Sequence, residues 1–150
     1  MTGIFRHQLI LFTVMFLVGI SLNPMNILAY RVSDIYLSLT LLYSGLFMAS
    51  NMIWSHQIVH YLQMGHFNIP TFIIGILLSI FTAKLLLRNQ LFVGVNQWLR
   101  RMIPHHSTAI TTTKRLLKSG KVRNEPKLYR LMKDIIYNQE REILVMKSYL

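Results

Sequence analysis

The 150-residue chain has no cysteine, four prolines and only five acidic residues. Without cysteine there is no disulfide framework and no thiolate metal site, and the redox compartment is left open. The shortage of acids leaves 16 Lys and Arg largely unbalanced, at a formal charge of +11. Signatures of nucleotide binding and hydrolysis are missing too. No P-loop, GxGxxG, GxSxG or HExxH pattern occurs, so no enzyme class is indicated. Internal repeats, Gly/Ser linkers and low-complexity tracts are also absent.

Apolar residues make up 53% of the chain, and they are segregated from the charge. Residues 1–90 hold four basic side chains (Arg6, Arg31, Lys84 and Arg88) and a single acid, Asp34. The remaining 60 residues hold 12 basic and 4 acidic ones. A single soluble globule distributes its charges over its whole surface, and a disordered chain lacks this much apolar surface; both are excluded.

Three apolar stretches, at about 9–28, 35–54 and 69–87, each approach the ~20 residues needed to cross a bilayer as a helix. The expectation is a membrane domain, 1–89, of three transmembrane helices lying in a lipid bilayer. The first run is longer than the ~7–15 residues of a signal-peptide core and has no obvious small-x-small site after it. Pro24 predicts a kink or an early helix end within it. Tyr30, Tyr36, Tyr43, Trp54 and Tyr61 mostly fall near the expected span ends, as interfacial aromatics do. Basic residues near those ends lean towards a cytoplasmic C-terminus.

Residues 90–150 read as a two-helix hairpin. One helix covers about 91–118, Ser119-Gly120 supplies a stop, and Asn124 or Glu125 caps a second helix that opens on Pro126. Two helices bury little core alone, so hairpins are expected to pair between chains into a four-helix bundle. The basic residues are spread around both helices with no aromatic-interleaved groove. Attraction to anionic headgroups is the simpler use for them than nucleic acid, which is not expected as a partner.

On a helical wheel, Leu128, Met132, Ile135, Ile143 and Met146 form one stripe of the second helix, and Gln139 and Glu142 fall inside it. On the first helix, Leu99, Met102, Ile103, His106, Ile110 and Leu117 share a face with His105 at its edge. Met102, His105 and His106 can therefore look towards Gln139, Glu142 and Met146. A carboxylate in an apolar seam needs a cation, a metal or a proton. Imidazole and thioether without thiolate suit copper better than zinc. A His106–Glu142 hydrogen bond that fixes register, with the methionines as core filler, accounts for the same pattern. Pro104 predicts a kink or a fresh helix start just before the histidines. A second, weaker candidate is the i, i+4 pair His56 and His60, within the series Met48, Met52, His56, His60, Met64.

The run MIPHHSTAI (Met102 to Ile110), followed by DIIYNQEREILVMKSYL (Asp134 to Leu150), resembles the domain of unknown function 305 family. Its pattern is M-I-x-H-H-x-x-A-I, then I-I-x-x-Q-x-x-E-I-x-x-M. The resemblance implies an all-α, ferritin-like helical fold behind membrane spans, with copper as the implied metal. Its motif residues fall on Met102, His105, His106, Gln139, Glu142 and Met146. Departures are Ser107 and Thr108, where an acid or Gly is frequent, and Thr112, where Met is frequent. The family's membrane members commonly carry lysines between spans 2 and 3, whereas QMGHFN has none; sidedness is left open. A non-metal reading, in which the hairpin dimerises as an assembly element, stands beside the copper reading.

Overall fold

The computed structural model describes residues 2–150 and is helical, with no strand among the described residues. Its helices are α1 (Thr2–Ser21), α2 (Pro24–Ile27), α3 (Leu39–Met64), α4 (Ile69–Phe81), α5 (Val95–Lys118) and α6 (Pro126–Lys147). A short 3-10 turn, Val32–Asp34, precedes α3, and a π-helical stretch, Thr82–Arg88, prolongs α4. Pro24 acts as expected: α1 ends at Ser21, and the proline opens α2, where its missing N–H costs nothing.

The chain divides into two compact units, one of residues 1–23 and 39–92, the other of 24–38 and 93–150. The 24–38 segment thus belongs with the hairpin, although a cut at 89/90 puts it on the membrane side.

In the first unit α3 is central and packs against both α1 and α4. Glycines permit the approach. A Cβ on Gly19 would stand 2.9 Å from the Gly45 Cα, and one on Gly75 would stand 2.8 Å from the Trp54 backbone nitrogen. The unit buries polar side chains beside Leu41, Ala49 and Ile53, and its exterior is apolar. Ser50, Gln57, Ser79 and Thr82 are buried, whereas Leu9, Val14, Leu17, Ile73, Leu77 and Ile80 are exposed. The buried hydroxyls are satisfied locally: Ser50, Ser79 and Thr82 donate to the carbonyls of Leu46, Gly75 and Leu78. α4 starts on an Asn68 cap, whose side-chain oxygen accepts from the Thr71 N–H at 3.0 Å.

Among the described residues two segments, Arg6–Ile27 and Ile69–Arg88, are long and apolar enough to cross a membrane. The expected second span, 35–54, is not among them. Residues 35–38 are not helical, so the apolar run starts four positions late. The helix then continues through Asn51, Ser55, His56, Gln57 and His60, which dilute its hydropathy. As the central helix, α3 buries Leu41, Gly45, Ala49, Ser50, Ile53 and Gln57 against its neighbours.

In the second unit α5 and α6 form the expected hairpin. Ser119 closes α5, Gly120 takes the left-handed conformation at φ +73°, and Glu125 precedes Pro126 at the start of α6. Its core is Leu99, Ile103, Ile110, Ile143 and Met146, with Tyr36 and Met102 packed against it. α5 runs through Pro104 as one helix, so neither a break nor a fresh start occurs there.

Candidate functional site

The hairpin brings His106 and Glu142 together. Nδ1 of His106 lies 3.0 Å from Oε2 of Glu142, with the imidazole 13% exposed and the carboxylate 46% exposed. Glu142 is therefore half in solvent, at the rim of the seam rather than in the middle of a dry stripe. This relieves much of the cost that full burial of its charge would carry. The approach lies outside hydrogen-bond geometry, and the buried Nδ1 has no hydrogen-bond partner. Met146 is buried, Met102 packs on the same core, and Gln139 is half-buried. His105 is exposed, its ring centroid 5.8 Å from that of His106. Among the described residues no three His, Asp or Glu side chains are arranged to hold a metal ion. His56 and His60 lie in the other unit, with ring centroids 6.1 Å apart.

Burial pushes the His106 imidazole below its ordinary value of 6.5; the Glu142 carboxylate opposes this, and His105 reinforces it. The ring is neutral at pH 7. Because the folded value is depressed, the unfolded chain binds more protons. His106 therefore contributes no penalty above pH 6.5, and destabilises the fold as pH falls from there through the lower folded value. Glu142→Gln removes the raising influence, so the His106 titration midpoint is expected to fall further. NMR of the imidazole C–H resonances checks this; an unchanged or higher midpoint would show that the carboxylate does not act on the ring.

A second cluster was not singled out from the sequence. Asp34 is 2% exposed and accepts from Ser107 Oγ and from Lys147 Nζ, each at 2.6 Å. Ser107 Oγ in turn accepts the Tyr30 N–H at 2.7 Å, and Thr108 Oγ1 donates to the Met25 carbonyl at 2.8 Å. Lys114 bonds Glu140 at 2.7 Å and stands 4.0 Å above the Tyr30 ring. These contacts bind the 24–38 segment across one face of the hairpin. Ser107 is wholly buried with both roles taken, so it is a tether and no nucleophile. The available signal was Asp34 itself, the lone acid of the first 90 residues.

An all-helical chain with two apolar helices of spanning length and a hairpin that brings a part-buried imidazole against a rim carboxylate is the class these features define. The Domain of unknown function (DUF305) family matches residues 95–150. The chain is also 35% identical over 130 residues to "Uncharacterized protein L153" of Acanthamoeba polyphaga mimivirus, covering 86% of this chain and 82% of that protein. It belongs to the DUF305 family. No solved structure matches it.

Proposed function

We propose that this is a multi-pass membrane protein whose ferritin-like hairpin binds a soft metal ion, copper in the Cu(I) state. The observation that carries the reading is the His106 imidazole, neutral at pH 7, with its buried Nδ1 3.0 Å from the Glu142 carboxylate. A carboxylate facing Nδ1 places the proton there and leaves the Nε2 lone pair for a cation, the usual arrangement of a metal-ligating histidine. Met102 and Met146 in the adjoining core offer thioethers, which favour Cu(I). His105 would join by turning inward, Glu142 would ligate or orient the imidazole, and Gln139 would position its neighbours. The membrane part of the reading is supported by the apolar exterior of the first unit. Its outward surface is Leu, Ile and Val, and a patch of that size is costly in water.

The test is a Cu(I) titration of the full chain, purified without a histidine tag in a His56→Ala/His60→Ala background. Adding His105→Ala/His106→Ala is expected to weaken binding by at least ~100-fold, as loss of two first-sphere imidazoles should exceed the 10–100-fold cost of outer-sphere changes. Equal affinity with and without the second pair overturns the reading.

A second reading, assembly through the hairpin, has its own observation. On a wheel of about 100° per residue, Trp98 and Leu116 lie on the flank of α5 opposite Ser107. Leu131 and Val145 lie on the flank of α6 opposite Lys147. All four are exposed, on the face away from the 24–38 segment. A second copy docking there would complete a four-helix bundle. It would also bring a second His106–Glu142 pair close to the first.

A further inference from the structure

The first unit has its own histidine cluster, at the end where α1 begins and α3 finishes. A cavity there is lined by His7, Gln8, His56, His60, His66 and Asn68, among others. The ring centroids of His7 and His56 are 5.4 Å apart, and those of His56 and His60 are 6.1 Å apart. Rings that share one tetrahedral ion at about 2.1 Å from nitrogen have centroids roughly 5 Å apart, so His7 and His56 stand at chelating distance and His60 needs a small turn of its ring.

The nitrogens are also prepared for chelation. Nδ1 of His60 is 3.0 Å from the His66 carbonyl oxygen, an acceptor, so Nδ1 carries the proton and Nε2 keeps its lone pair. A backbone carbonyl holding one imidazole nitrogen is the usual way a ligand ring is oriented. Gln8 is 9% exposed, its amide lies 3.2 Å from Nδ1 of His56, and its buried Oε1 has no hydrogen-bond partner. Turned over, the amide gives Oε1 the Nδ1–H of His56 and frees Nε2 of that ring as well. The named lining contains no carboxylate, which disfavours Mg(II) and Ca(II) and leaves the imidazole-seeking ions.

We infer that this cavity binds a divalent transition-metal cation of the Zn(II) or Cu(II) type. His56 and His60 are the chelating pair, one turn apart on α3, and His7 is the third ligand. No three such groups among the described residues converge as they stand. The ion therefore closes the site by rotation of the His7 and His60 side chains, and water fills the remaining position. This inference does not depend on the copper reading of the hairpin.

The experiment uses the full chain in detergent without a histidine tag, in a His105→Ala/His106→Ala background, titrated with Zn(II) and with Co(II) as a spectroscopic stand-in. One equivalent is expected to bind, with the visible absorption of Co(II) in a low-symmetry nitrogen site. His7→Gln is expected to weaken it by at least ~10-fold and His56→Ala/His60→Ala by more than ~100-fold, as ligand loss is at least as costly as outer-sphere loss. Should the paired variant lose helicity, Cu(II) EPR of the unpaired background decides, with imidazole nitrogen hyperfine structure expected. Absence of that structure, no bound equivalent, or variants that bind as tightly as the background each overturn the inference.

Discussion

Replacing Lys147 with methionine is expected to destabilise the C-terminal unit by about 3 kcal/mol, the low end of what removing one partner of a buried ion pair costs. The low end applies because Lys147 is itself 27% exposed, whereas Asp34 is almost wholly enclosed. The substitution keeps the aliphatic stem and removes only the cation, leaving the Asp34 carboxylate with Ser107 as its remaining side-chain donor. Adding Asp34→Asn should recover much of the loss, since a neutral amide no longer needs the ammonium. Trp98 lies on α5, so its fluorescence in a Trp54→Phe background follows unfolding of this unit in urea. A loss below about 1 kcal/mol, the range of an exposed pair, would show that the tether of the 24–38 segment does not depend on this charge.

The second large effect is expected in the first unit. Gly75→Ala places a methyl 2.8 Å from the Trp54 backbone nitrogen and 3.0 Å from Ile53 Cγ2, and the backbone atom cannot swing aside. Helices α3 and α4 must separate, at a cost of about 1–3 kcal/mol for overpacking. Gly19→Ala should act similarly on α1 and α3, because its methyl would meet the Gly45 Cα at 2.9 Å. Gly94→Ala, with open space at that position, is the comparison. Unfolding of detergent-solubilised protein in SDS, followed by circular dichroism, checks the order. If all three behave alike, close helix approach is not what these glycines serve.

Much of the architecture was legible along the chain because it rests on local rules. Pro126 at a helix start, Gly120 at a stop and Pro24 after a helix end each act through their own backbone, whatever packs around them. The hairpin stripes were equally readable: Leu99, Ile103, Ile110, Ile143 and Met146 recur at helical spacing, and they form the core. The His106–Glu142 approach follows from the same periodicity. Apolar length misled at 35–54, since a run of residues does not say where its helix begins. Ile35 to Ser38 stay outside α3.

The sequence by itself determined an all-helical chain, the hairpin and its family, and two of the three apolar segments it marked are long enough to span a membrane. All of these depend on the composition and period of contiguous residues. Only the tertiary structure decided that Asp34 meets Ser107 and Lys147, positions 73 and 113 residues away. It likewise decided that His7 and Gln8 stand beside His56, and that Glu142 sits at a wet rim. Such pairings depend on how helices cross and which flank is covered. A wheel drawn for one helix carries neither.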